Sequence, residues 1–176
     1  MVPRMAEAIV LCGIQGSGKT TLYRDRYLET HVRISLDLLR TRPREARFLA
    51  ACLETRQRFV VDKVNETVAE RARYVAPALK AGFRVVAVLV EAPVPEAMAR
   101  NERRPPARRV PVAGLLGARK RWEPPTLAEG FAEVWRASAA DGGGWALELV
   151  EGGGPARRSA RSRAIIADSR GCSSVG

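Results

Sequence analysis

Eight residues near the amino terminus constrain this chain more than any others: Gly13-Ile14-Gln15-Gly16-Ser17-Gly18-Lys19-Thr20. The apolar run Ala8 to Cys12 precedes them, and a helix-like stretch, Thr21 to Leu28, comes after. Glycines at these positions let successive backbone N–H groups turn inward as a nest around phosphate oxygens, where a side chain would block the approach. The start of the next helix adds partial positive charge and unsatisfied N–H donors. A lysine at position 19 reaches the β- and γ-phosphates of a triphosphate, and a hydroxyl at position 20 suits Mg²⁺. A glycine turn that merely happens to precede a helix is the alternative, and the strand before and helix after argue against it. Gly13, Gln15, Gly16, Ser17, Gly18, Lys19, Thr20 and Thr21 are therefore the expected nucleotide contacts, with ATP as donor and Mg²⁺ as its ion.

The rest of the chain alternates short apolar runs with helical spacing. Val32 to Ile34, Phe59 to Asp62 and Val85 to Val90 read as buried strands. Leu38 to Arg58 reads as helical with its main start just after Pro43, and Val68 to Leu79 as a helix stopped by Gly82. Pro95 opens a helix to about Arg103; Arg104-Pro105-Pro106 breaks it, and Val110 to Trp122 is helical again. This is the pattern of an α/β chain with a mainly parallel sheet, helices on both faces in a three-layer sandwich, and ligands at the carboxyl ends of the strands. Gly13, Asp37 and Asp62 all fall at such ends.

Phosphoryl transfer asks for more than a cradle. Asp37, 18 residues after Lys19, is placed to orient an acceptor hydroxyl and take its proton; capping the next helix is its competing use. Asp62 closes a strand, where an acid meets Mg²⁺ directly or through water, or simply makes a turn. Asn65 lies just beyond it in a loop, to bind ligand or to stabilise the turn. Arg100, Arg103, Arg104, Arg108 and Arg109 surround the double proline and suit a segment, about 100–111, that closes over ATP as an Arg-rich lid; a solvated basic face is the alternative for most of them.

Composition trims the options. The net charge of +11 suits an anionic partner, although arginine-rich composition alone argues weakly for nucleic acid. No apolar run is long enough for a membrane span, so no membrane partner and a cytoplasmic location are expected. Cys12, Cys52 and Cys172 show no metal spacing and read as buried thiols; the single histidine, His31, reads as a surface or strand-edge residue. Trp122, Trp135 and Trp145 read as core or edge packing. Residues 1–150 form the expected catalytic domain, ending in an edge strand from Trp145 to Val150, and 151–176 a basic, disordered Gly/Ser/Arg tail.

Several segments, in order from Ala8 to Arg136, resemble P-loop kinases of the polynucleotide 5′-hydroxyl kinase type. They are Gly13 to Thr20, Ile34 to Arg40, Val60 to Asn65, Arg71 to Val75, Arg100 to Arg104, Val110-Pro111, and Trp122 to Phe131. The Glu123-Pro124-Pro125 and Glu129-Gly130-Phe131 pieces discriminate most, since no general need of nucleotide binding dictates them. The resemblance implies a P-loop NTPase fold. It makes Asp37 the base that activates the acceptor, Arg40 a contact to the acceptor's phosphate, and Arg104 a lid contact to the donor's phosphates. Lys63-Val64 and Leu38 depart from the family, which shows Asn-Thr and a second acid at those places. The expected function is ATP-dependent phosphorylation of a hydroxyl, first the 5′-OH of a polynucleotide. The alternatives are a small alcohol acceptor (nucleoside, sugar or antibiotic) and a non-catalytic ATP-binding module. Lys19, Asp37 and Arg104 are the catalytic candidates, Arg40 and Asn65 the acceptor contacts, and Thr20 and Asp62 the metal ligands.

Overall fold

Strand β1 (Glu7–Cys12) is the axis of a seven-stranded sheet in the computed structural model, which describes residues 6–140 and 142–152 and the strand Ala164–Ile165. It pairs in parallel with β3 (Phe59–Asp62) on one side and β4 (Arg84–Val90) on the other. Strand β2 (Val32–Ile34) extends the sheet beyond β3, and β5 (Glu133–Ala139) extends it beyond β4, both parallel. Two antiparallel strands, β6 (Trp145–Gly152) and β7 (Ala164–Ile165), complete the order 2-3-1-4-5-6-7.

Successive side chains of a strand point to opposite faces, and β1 uses both. Ala8, Val10 and Cys12 join Val61, Val85 and Ala87 in a core closed by Leu49 and Cys52 of α3 (Arg42–Glu54) and Tyr74, Val75 and Ala78 of α4 (Val68–Lys80). Ile9 and Leu11 face the other way, with Val60, Val86 and Val88, against Leu22 and Tyr23 of α1 (Lys19–Arg26). A sheet buried on both faces needs near-continuous apolar strands, which is why β1, β3 and β4 read so plainly in sequence. The three-layer α/β sandwich is as expected.

A third apolar cluster positions the phosphate loop. Ile14 packs on Ala97 of α5 (Val94–Glu102) and Leu115 of α6 (Val112–Lys120), with Val94 and Met98 beside them. A short turn, Pro106–Arg108, joins the two helices. Behind the loop, the wholly buried Arg71 donates to both carboxylate oxygens of Glu129 at 2.6 and 2.8 Å and to the backbone carbonyls of Asn65, Glu123 and Pro124. One guanidinium thus ties the Glu123–Glu129 segment to the β3–α4 loop.

Several expectations are corrected. The helical stretch over 38–58, with its main start expected just after Pro43, divides slightly earlier: α2 (Leu36–Leu39) ends at Arg40, whose φ is 70°, and α3 starts after the cap Thr41, with Pro43 inside its first turn, and stops at Glu54. Strand β5 gave no sequence signal, because only Val134 and Ala137 of its seven residues are buried. His31 is buried, not on the surface, with Nδ1 2.8 Å from the Thr30 hydroxyl and the Tyr27 ring edge-on at 5.3 Å. Strand β6 runs to Gly152 and β7 pairs with it, so the boundary at 150 falls inside a strand. The rest of the 151–176 tail, with Cys172, lies outside the described residues, whereas Cys12 and Cys52 are buried free thiols as expected. Among the described residues, no helix is long and apolar enough to cross a membrane.

Candidate active site

The glycine loop leaves β1 and turns directly into α1. Its first residue, Gly13, donates its N–H to the Val64 carbonyl at 3.0 Å, which fixes the loop to the end of β3. Gly16 and Gly18 take φ of 81° and 106°, values that L side chains resist. Gly16 is doubly required, since a Cβ there would strike the backbone carbonyl of Ala97 on α5. Ser17 is buried with its hydroxyl unpartnered, and so is the side-chain oxygen of Gln15. Glycines at positive φ leading into a helix start, with an orphan hydroxyl beside them, fit a phosphate group.

Lys19 is buried and donates from Nζ to the carbonyls of Gly13 at 2.7 Å and Ile14 at 2.8 Å. Burial lowers its pKa to about 8; the charges of Asp62 and Asp37 pull it back up and that of Arg104 pushes it further down. Asp62, Arg104 and Asp37 come from three separate elements, and each acts electrostatically on this ammonium group.

Thr20 and Asp62 meet. The Thr20 hydroxyl donates to Asp62 Oδ2 at 2.9 Å, although 42 residues separate them. Asp62 is buried, at the end of β3 beside β1, while Thr20 is exposed. One hydroxyl and one carboxylate form a hard-oxygen donor set suited to Mg²⁺, which is commonly held by few carboxylates plus substrate phosphates. Among the described residues no cluster of three or more His, Cys, Asp or Glu offers another metal site. Arg33, which the sequence did not single out, also lies here: its Nε donates to Asp62 Oδ2 at 2.8 Å.

Asp37 is exposed in the first turn of α2, two residues past the N-cap position at Ser35, so it is not the cap. Arg40 is exposed at the end of that helix, in the strained positive-φ region. Asn65 is a correction. It is wholly buried, its Nδ2 donates to the Leu11 carbonyl at 2.7 Å, and its φ of 51° shapes the turn. It supports the phosphate loop from behind and is not exposed to an acceptor.

The segment expected to act as a lid lies against the glycine loop at one point: Arg100 reaches the Gly16 carbonyl at 3.4 Å and pairs with Glu96 at 3.0 Å, while Arg104 is half-buried. Arg103, Arg108 and Arg109 are exposed. Asn101 is what holds the segment together: it is buried, donates to the Val110 carbonyl at 2.8 Å and accepts from the Val110 N–H at 3.0 Å. On the other flank of the loop, Ser17, Gly18 and Thr21 border a cavity of about 440 Å³ walled by the Glu91–Pro93 turn and Trp145. Trp145 lies over Gly18 and donates to Asp25 at 3.1 Å. Thr21 thus faces this cavity, and Trp145 is part of its wall as well as edge packing. Nothing local in sequence marks Arg33 or Trp145 for these places, because each acquires its partner from a distant element.

A family model described as an AAA domain matches residues 9–125, about two thirds of the chain. The chain belongs to the AAA domain family. The likeness of this AAA domain to solved structures covers most of both chains. Kti12 of Chaetomium thermophilum, solved with ADP-AlF3, shares 20% identity over 74% of this chain and 88% of its own, with a TM-score of 0.60. A gluconokinase from Sinorhizobium meliloti shares 20% over 78% and 85%, with a TM-score of 0.52. A sugar kinase from Janibacter shares 17% over 76% and 86%, with a TM-score of 0.56. At such identities the likeness is one of fold alone.

Proposed function

We propose that this AAA domain protein is an ATP-dependent kinase that transfers the γ-phosphoryl group to a hydroxyl, with the 5′-OH of a polynucleotide as the leading acceptor. The observation that carries the reading is the Thr20–Asp62 contact at 2.9 Å, next in sequence to a buried Lys19 that bonds back to the carbonyls of its own glycine loop. A phosphate-gripping cation, a metal-suited acid, a lid arginine and an exposed carboxylate are the parts that phosphoryl transfer uses.

In this reading the loop amides and Lys19 hold the phosphates, and the base lies in the cavity beside Thr21 and Trp145. Thr20 and Asp62 would hold Mg²⁺, whose charge offsets that on the β- and γ-oxygens. Asp37, exposed and unencumbered, accepts the hydroxyl proton as the acceptor oxygen attacks in line. Arg104 covers the transferring group and offsets charge on its equatorial oxygens. Arg40 meets a phosphate of the acceptor, as the resemblance implies. With a phosphate-bearing acceptor, the neighbouring arginine is the feature that a simple alcohol would leave idle.

The test uses γ-labelled ATP, Mg²⁺, 5′-OH oligonucleotides and a panel of nucleosides and sugars. Label on the oligonucleotide supports the proposal. Label confined to small alcohols replaces the acceptor while keeping the kinase. ATP binding with no transfer to any acceptor overturns the catalytic reading.

A further inference from the structure

Arg33 is the second residue of β2, aligned with Val60 of the neighbouring β3. From there its side chain reaches the carboxyl end of the sheet. Nε lies 2.8 Å from Asp62 Oδ2, one terminal nitrogen lies 2.6 Å from the same oxygen, and that nitrogen also donates to the Thr20 hydroxyl at 3.2 Å. The guanidinium carbon is 5.7 Å from the centre of the Tyr23 ring, within cation–π range. A fixed cation of this chain therefore already sits on both side chains of the metal-suited pair.

Charge balance governs how that seat can be filled. Asp62 and Arg33 cancel, and Lys19 adds a positive charge beside them. A divalent ion arriving alone would face two like charges and would have to strip a tightly bound hydration shell for a single carboxylate that is already paired. A triphosphate brings several negative charges and further oxygen ligands, and reverses that balance. A guanidinium suits the role because it never deprotonates and holds a carboxylate through a rigid fork. With its side chain only 22% exposed, it is screened less than a surface arginine, and the Tyr23 face offers a resting place next to the seat.

We propose that Arg33 is a built-in plug of the divalent-cation seat: it keeps metal out of the nucleotide-free protein and yields only to metal that arrives with a triphosphate. The consequence is that nucleotide and metal load as one unit. Such a plug makes Arg33 a positioning residue for the metal, and the inference rests on the metal role proposed for Thr20 and Asp62.

The test reads metal directly. Mn²⁺ is titrated into the whole chain, and the free ion is tracked by its paramagnetic resonance signal. Wild type is expected to show no saturable site without nucleotide and one site with a non-hydrolysable ATP analogue. Nucleotide-free Arg33→Gln is expected to bind Mn²⁺ at least about tenfold more tightly than nucleotide-free wild type. That gain should vanish in the double variant Arg33→Gln, Asp62→Asn. Arg33→Lys, a gentler change that keeps a cation but loses the fork, should fall between. Equal Mn²⁺ binding by nucleotide-free wild type and both Arg33 variants overturns the plug while leaving the metal role intact. If analogue-loaded wild type holds no more Mn²⁺ than analogue-loaded Asp62→Asn, the metal role itself is wrong.

Discussion

The hydroxyl of Thr20 and the carboxylate of Asp62 lie 2.9 Å apart, joining the first turn of α1 to the end of β3 by a bond that no local sequence rule requires. The parallel pairing of β1 with β3 sets it, placing the residue after Lys19 beside the last residue of β3. Asp62→Asn keeps the size but turns one of two acceptor oxygens into a donor and removes the charge that would hold a metal. We expect phosphoryl transfer to fall about a hundredfold and the Mg²⁺ requirement to rise. Nucleotide binding measured without Mg²⁺ should change little. Calorimetric titration of ATP with and without Mg²⁺, alongside a transfer assay, checks both halves.

Arg71 and Glu129 form a buried pair whose side chains are 0% and 7% exposed. Removing one partner strands the other charge in the interior. Arg71→Met should therefore destabilise the fold by about 3–5 kcal/mol in urea unfolding. The double variant Arg71→Met, Glu129→Leu should recover part of that loss, because the uncompensated carboxylate is gone.

Lys19, drawn by burial to about 8, gives a pH signature. A bound triphosphate favours the charged ammonium, so binding takes up a proton once the free lysine has begun to lose its own. Affinity for an ATP analogue should be insensitive to this group below about pH 8 and fall above it, by up to about tenfold per pH unit. The fold itself shows the opposite trend. The unfolded chain keeps the lysine protonated up to its ordinary value of 10.5, so this group makes the nucleotide-free protein gain stability between about 8 and 10.5. Analogue titrations and urea unfolding across that range measure the two effects.

Arg40→Ala should raise the KM for a phosphate-bearing acceptor about tenfold and leave ATP affinity unchanged. Steady-state kinetics with acceptors that carry or lack the adjacent phosphate separates a direct contact from a loop effect. Equal losses on both would remove the contact.

Much of this was legible in sequence for one physical reason: strands buried on both faces and a glycine loop with fixed backbone demands leave little freedom of composition. Thus Val32 to Ile34, Phe59 to Asp62 and the Gly13–Thr20 loop appear where expected. Strand β5 was hidden because Glu133 and Arg136 interrupt its apolar residues, and each is satisfied by a neighbour, Arg84 and Glu91 respectively. Pro43 marked the start of α3 to within two residues, but the end of α2 was hidden because the residue at positive φ is an arginine, not a glycine. Asn65 looked like a ligand-facing loop residue, but its place beneath β1 is set by Leu11, 54 residues earlier. Arg33 belongs to the same class, with a partner 29 residues away. The Glu123–Phe131 segment stood out in sequence, and Arg71 supplies its physical reason.

Asp37, as the group that readies the acceptor, is the residue on which the proposed reaction depends most. The direct measurement is the single-turnover rate of phosphoryl transfer from saturating ATP to a 5′-OH oligonucleotide, wild type against Asp37→Asn. We predict a rate at least about a hundredfold lower in the variant, with ATP affinity within about twofold of wild type. Equal rates in the two proteins would contradict that role.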